Sequence, residues 1–426
     1  SIRLYGKNTS RVFPSSAVQL VSYSNWETPA QSTAHFHKTT INISNLAYRL
    51  TDNPATMTPV SRSAMSDLFF SLILSLSPLF FTSVLVHSST LPSDIAALQA
   101  FKSSIKPTSI PSYSCLATWN FSSDPCAGAG ARAAARVTHL TLDPAGYSGS
   151  LSPLVSKLTQ LVVLDLSDNN FSGPIPASLS SLYNLQTLVI RSNSFSGSFP
   201  PSVSGLKSLQ ILDISRNSIS GILPNTLNGL TSLQRLDLSF NKFTGSLPKL
   251  PFGLIELAAK ANSLSGSLDK SSFDGLTQIE VVELSDNSLS GTLGGWFFNL
   301  PSLQQVDLAN NSFTSIEIWK PTKIESDLVA VDLGFNKLDG YVPSDLSAYP
   351  RLSSLSLRYN RLRGPIPSQF SEKATLKRLF LDGNFLNGTP PAGFFSSGTS
   401  VSGSLGDNCL QSCPASSQLC SKPQKP

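Results

Sequence analysis

The sequence predicts an α/β solenoid: a superhelix of about eleven 24-residue repeats with a concave parallel β-sheet and cysteine-containing end caps. Three observations carry that expectation. Apolar residues return at the same offsets about every 24 residues from Val137 onward, an asparagine keeps one phase through ten successive units, and all five cysteines lie outside the repetitive stretch.

The chain of 426 residues begins with a segment, 1–64, that shows no sustained periodicity and reads as an upstream or disordered extension. A charge-free run of 19 residues follows at 68–86, with Met65 and Arg62 before it and Val86-His87-Ser88 after it. Small residues at that point suit a signal peptidase, so 65–88 reads as a signal peptide cleaved after Ser88. A retained signal anchor is the alternative, because about 18 apolar residues suffice to cross a bilayer. Residues 89–426 then carry 25 Lys/Arg against 23 Asp/Glu. No basic stripe with interleaved aromatics is present, which argues against a nucleic-acid partner.

Residues 137–398 read as eleven units. They start at Val137, Leu161, Leu185, Leu209, Leu233, Leu254, Ile279, Leu303, Leu328, Leu352 and Leu376, and seven of the ten spacings are 24. Three and five residues after each start the chain is again apolar, as in Leu164 and Leu166 or Leu355 and Leu357. Alternation puts those side chains on one face of a short strand, pointing inward. A third column runs through Tyr147, Phe171, Phe195, Ile219, Phe243, Leu264, Leu289, Phe313, Leu338, Leu362 and Leu386. No single unit can bury such a face; stacking on both neighbours buries it. The phased asparagines are Asn169, Asn193, Asn217, Asn241, Asn262, Asn287, Asn311, Asn336, Asn360 and Asn384. An amide both donates and accepts, so a buried column of them can pair backbone groups where each coil leaves its strand. Runs such as Ser172 to Pro176 place Gly and Pro next, predicting turns and short extended pieces on the convex side.

The phased pattern LxxLxLxxNxFSGxIP resembles the plant-specific class of extracellular leucine-rich repeats. That class includes receptor-kinase ectodomains, receptor-like proteins and secreted forms such as polygalacturonase inhibitors. Asp94-Ile95-Ala96-Ala97-Leu98-Gln99-Ala100-Phe101-Lys102 resembles its amino-terminal cap helix, within a cap spanning 89–136. Trp119 and Asp124-Pro125-Cys126 resemble the segment that follows, but the usual Trp-x-Gly-Val and second Cys are replaced by the Ala/Gly-rich run 127–136. Cys409, Cys413 and Cys420 resemble the carboxy-terminal cap, 399–426. With Cys115 and Cys126 they are the disulfide candidates, and an odd count leaves one thiol without a partner in the chain. Asn120, Asn170, Asn310 and Asn387 sit in N-x-Ser/Thr sequons and are glycosylation candidates.

Catalytic chemistry lacks its ingredients. Of four histidines only His139 follows the apolar run, leaving no base for a Ser-His-Asp arrangement and no His-rich metal site. A carboxylate column exists (Asp165, Asp213, Asp237, Glu283, Asp307 and Asp332), but it is regular along the array where a catalytic site would be local. No enzyme activity, cofactor or metal is expected. Binding is expected instead, on the strand residues that alternate to the concave side. The main candidates are Phe335, Arg358, Tyr359, Arg378 and Phe380; the secondary ones are Arg235, Phe240 and Lys260. Aromatic and Arg side chains on a rigid sheet are favoured anchors for partners. Phe335 and Tyr359 share a phase and should stack, while Asp382 could neutralise Arg378.

The expected function is recognition of a protein, peptide or glycan, in signalling or defence, by a secreted or wall-associated module. A receptor-kinase ectodomain is one such partner. Two alternatives come with the resemblance: an inhibitor of a secreted polysaccharide-degrading enzyme, and a plasma-membrane co-receptor fragment if 68–86 is retained.

Overall fold

The computed structural model describes residues 91–114, 116–119, 121, 136–321, 326–396, 398 and 401–425. The extension 1–64, the signal or anchor segment, Cys115, Cys126 and Asn120 lie outside them.

Twelve three-residue strands, from His139–Thr141 to Ser402–Ser404, form one parallel sheet in strict sequence order. Each registers in phase with the next, as Leu140 opposite Leu164 and Leu355 opposite Leu379. The alternating leucines are buried, and so is the third apolar column from Tyr147 to Leu386. Phe101, Phe171 and Phe195 stack along it with ring centroids 6.2 and 6.3 Å apart. Outside the strands most coils turn through a short 3-10 helix, as at Pro153–Lys157 and Ala177–Ser181. The unit starting at Leu233 is 21 residues long because it has no such turn; Leu247 and Leu250 fill the space from an extended segment.

The asparagine ladder is the regular polar element of the interior. In coil five, Asn241 Nδ2 donates to the carbonyls of Ile214, Leu238 and Ser239 at 3.0, 3.1 and 3.3 Å, and its Oδ1 accepts from the Ile219 N–H at 3.0 Å. The same four bonds recur from coil to coil, as at Asn336 and Asn360. The first unit lacks an asparagine, and there the Asn169 amide oxygen accepts from both Gly146 and Tyr147.

The array is one coil longer than the eleven units expected. Ser402–Ser404 adds a twelfth strand, and Asn408 makes all four ladder bonds. The stretch expected to be all cap therefore opens with a coil. Beyond it the tail is tied by a Cys413–Cys420 disulfide, while Cys409 is a free, exposed thiol. At the other end helix α1 (Pro92–Ser103) buries Ala97, Leu98 and Phe101 against the first coil. Its Asp94 is fully buried and accepts from the Arg136 guanidinium at 3.0 and 3.2 Å and from the Val137 N–H at 3.0 Å. That carboxylate joins cap to array, 42 residues apart in sequence, and no local pattern announces it.

Candidate functional site

The concave surface is built by the residues two, four, six and seven positions after each unit start. Between the inward leucines, positions two and four point out from the sheet; position six follows the strand, and position seven makes the bend into the asparagine turn. The bend has a conformational demand that the sequence reading missed. Position seven is left-handed in eleven consecutive coils: Asp168, Ser192, Arg216, Phe240, Ala261, Asp286, Asn310, Phe335 and Tyr359 have φ between 51° and 56°, Gly383 has 74° and Asp407 has 54°. Asp, Asn and Gly tolerate this region, which accounts for five of the eleven positions: Asp168, Asp286, Asn310, Gly383 and Asp407. Bulky residues do not, so Phe240, Phe335 and Tyr359 hold conformations that cost roughly 1 kcal/mol or more each. The bend belongs to the repeat, since Arg216 and Ala261 adopt it as the three aromatics do.

Two of the three are adjacent. Phe335 and Tyr359 stack with ring centroids 4.7 Å apart at 13°, and both are exposed. The Tyr359 ring lies flat over Gly383: a Cβ there would stand 2.5 Å from Tyr359 Cδ1, so both the φ and the missing side chain matter. Arg358 reaches over this surface, its guanidinium 5.2 Å from the Phe335 ring and 5.5 Å from the Phe380 ring. It forms no ion pair among the described residues, and its Nε is buried without a hydrogen-bond partner. Arg378 lies on the next strand, exposed, with Ser354 and Ser402 beside it. The expected pairing of Arg378 with Asp382 does not occur. Asp382 instead holds Lys422 of the tail at 2.8 Å, a residue forty positions on that only the folded cap brings near.

The secondary cluster is differently wired. Arg235 pairs with Glu256 at 3.2 Å and Lys260 with Glu283 at 3.1 Å, while Phe240 lies under the Arg216 guanidinium at 4.3 Å. Both candidate cations are thus already neutralised. Burial works against the Lys260 ammonium, yet the charge and hydrogen bond of Glu283 outweigh it and raise its pKa. Around them the carboxylate column stacks Asp213 on Asp237 and Glu283 on Asp307 on Asp332. Desolvation, more than mutual repulsion, raises the pKa of Asp213, Glu256 and Asp307. Asp213 accepts from the Ser215 hydroxyl and N–H, and Asp307 from the Ser285 hydroxyl and the Ala309 N–H. Among the described residues no group of three or more His, Cys, Asp or Glu could hold a metal. Of the sequons described, Asn170, Asn310 and Asn387 are all exposed, and Asn310 occupies the left-handed column one coil before Phe335.

Comparison with known proteins bears on what such a face is for. Leucine rich repeat family models match residues 184–243 and 260–313, and 160–182 and 351–372. The leucine rich repeat N-terminal domain matches 91–127. Receptor like protein 27 of Arabidopsis thaliana is 38% identical over 68 residues, 16% of this chain and 8% of that protein. The chain spans less than a tenth of the curated relatives it matches. Among solved structures, that of PEPR1-AtPEP1 is 30% identical, covers 75% of this chain and 45% of that one, and superposes with a TM-score of 0.67. The plant peptide hormone receptor RGFR1 in complex with RGF2 is 28% identical, with 64% and 48% covered and a TM-score of 0.57.

Proposed function

The chain is a leucine-rich-repeat protein of the plant extracellular class, and from that premise we propose that it captures a peptide on the concave face of coils nine to eleven. The observation that carries this is the Phe335–Tyr359 stack with Arg358 beside it. Two exposed aromatics are held in a left-handed backbone, and the guanidinium next to them has no counter-ion among the described residues. Such a surface offers apolar area and a fixed cation, which suits a peptide bearing an aromatic or aliphatic side chain next to a carboxylate. The middle coils are a weaker choice because Arg235 and Lys260 are already paired. Plant receptors of similar fold are solved with peptide hormones bound, which supports a peptide over a glycan.

Synthetic peptides of about twelve residues, each with one aromatic side chain and a free C-terminal carboxylate, provide the test. The wild-type chain is expected to bind a subset of them. Replacing Phe335, Arg358 and Tyr359 together by Ala should weaken that binding about 100-fold or more, since each group is an anchor of a kind worth 1 kcal/mol or more. The Arg235, Phe240 and Lys260 triple Ala variant should bind as wild type does. The opposite ranking of the two triples would move the site to the middle coils.

A further inference from the structure

We infer that the lateral sheet of the last coils is a second binding site, separate from the concave face, that takes an anionic sugar chain of the uronate kind. This does not rest on the peptide reading. Among the described residues four short strands, Asp339–Tyr341, Arg361–Gly364, Phe385–Gly388 and Cys409–Leu410, form that sheet in sequence order. Register sets Tyr341, Arg363 and Phe385 in one row across three strands, and Asp339 beside Arg361. All five side chains are exposed. A depression of about 360 Å³ opens between Asp339, Arg361, Arg363 and Phe385. At one end of the row the Tyr341 ring lies across Gly364, where an added Cβ would stand 2.6 Å from Tyr341 Cδ1. Its other face is open to solvent, and Tyr341 is 70% exposed. At the other end Phe385 is backed by Lys425 of the tail. That ammonium lies 4.2 Å from the ring centroid and donates to the Asn384 carbonyl at 2.7 Å.

The fold does not ask for these side chains. Eleven positions after its start, each of the first eight units has Ser or Thr, from Ser148 to Thr314; the next three have Asp339, Arg363 and Asn387. Two positions earlier, Ser194, Ser218, Ser263, Ser288 and Ser312 stand where Arg361 and Phe385 do. The same parallel pairing is built with small hydroxyls there, as between Ser196 and Ser218 or Ser290 and Ser312. Rings and cations gathered on three neighbouring coils are therefore a local surface and not a feature of the repeat. Its charge points to an anion. Arg363 donates from Nε to Asp339 Oδ1 at 3.2 Å, but Arg361 forms no ion pair or side-chain hydrogen bond among the described residues. Lys425 comes no nearer than 3.9 Å to Asp407. Three cations thus face two carboxylates. The rings favour a sugar chain over an acidic peptide, because the C–H face of a pyranose lies flat on an aromatic ring and Tyr341 presents one. Tyr341 and Phe385 are two strand spacings apart, about 9–10 Å, the reach of two linked pyranoses, with Arg363 between them. Arg361 can take a ring carboxylate with two parallel hydrogen bonds. The hydrogen bonds to Asp339 all fall on Oδ1, which leaves Oδ2 to accept a sugar hydroxyl.

The test puts three probes on the full chain. They are a hexamer of α-1,4-linked galacturonate, its methyl ester, which keeps the rings and loses the charge, and a hexaglutamate, which keeps the charge and has no rings. Wild type should bind the uronate about tenfold or more tighter than either of the others, and that affinity should fall as salt rises. Arg361→Gln should lose about tenfold for the uronate, change the ester little and flatten the salt dependence. Tyr341→Ser puts back the serine that Ser150 and Ser198 supply in the same phase. It should weaken uronate and ester alike, about tenfold, and leave the salt dependence as in wild type. Both variants should melt as wild type does, since both side chains are exposed. The Phe335, Arg358, Tyr359 triple variant should bind the uronate as wild type does. Hexaglutamate bound as tightly as the uronate, with Tyr341→Ser silent, would make the patch an acidic-peptide surface and overturn the sugar assignment. The site itself is overturned if no probe binds wild type, or if uronate binding is lost in the concave triple variant and kept in Arg361→Gln.

Discussion

Asn241→Ala removes one rung of the polar ladder, and the structure states what is left behind. The lost amide served three carbonyls and one N–H, but the carbonyls are doubly served. Ile214 O keeps Asn217 Nδ2 at 3.1 Å, Leu238 O keeps Asn262 Nδ2 at 3.1 Å, and Ser239 O keeps the Arg216 N–H at 2.8 Å. The Ile219 N–H is the group that loses its acceptor, and it does so in the interior. One buried donor without a partner costs about 1–3 kcal/mol. At about 2 cal/mol/K of unfolding entropy per residue, an array of this size should lose about 1–4 °C in melting temperature. Circular dichroism melts of the purified protein would read this, with exposed Lys207→Ala as the silent control. Solenoids unfold with limited cooperativity, so the transition should also broaden around coils four and five. Equal melts for Asn241→Ala and wild type would refute the claim that the ladder satisfies the interior backbone.

Two further outcomes follow from the packing and the electrostatics. Phe171 is fully buried between Phe101 and Phe195, so Phe171→Ala should cost about 3–5 kcal/mol and loosen the amino-terminal cap first, as limited proteolysis after α1 would show. Asp307 has a pKa raised by burial, so its ionised form is less favourable in the fold than in the unfolded chain. That penalty is fully present above the folded pKa and disappears as pH falls toward the ordinary carboxylate value. Urea midpoints of Asp307→Asn should therefore exceed wild type at pH 7, and the gap should close as pH falls through the raised Asp307 pKa toward the ordinary carboxylate value; a gap that widens on acidification would contradict the assigned cause.

What the sequence made legible, and what it did not, follows from the range of each interaction. The coils were readable because a solenoid repeats its local problem: Leu164, Leu166, Asn169 and Phe171 solve it in one unit as Leu355, Leu357, Asn360 and Leu362 do in another. The twelfth coil was hidden because its phase keeps Leu405, Asn408 and Leu410 but places Gly403 where a leucine would stand. The Phe335–Tyr359 stack was legible, since equal phase on neighbouring coils means adjacency. The left-handed bend was not read, although Asp168, Asp286, Asn310 and Gly383 in one phase carry its signal. Nearness in sequence misled at Asp382, which sits four residues from Arg378 but turns to Lys422 once the cap folds back. The Asp94–Arg136 tie was invisible for the same reason: its partners meet only when the helix closes the first coil.

The central claim, that ligand lies on the concave face of coils nine to eleven, is tested most directly by site-specific photocross-linking. A benzophenone side chain would be placed at Ser354, on the concave strand between Ala330 and Arg378, or at Ser172 on the lateral sheet of an early coil. With a bound carboxylate-ended peptide, the account predicts an adduct at Ser354, lost in the Phe335, Arg358, Tyr359 triple variant, and none at Ser172. An adduct at Ser172 with none at Ser354 would contradict it.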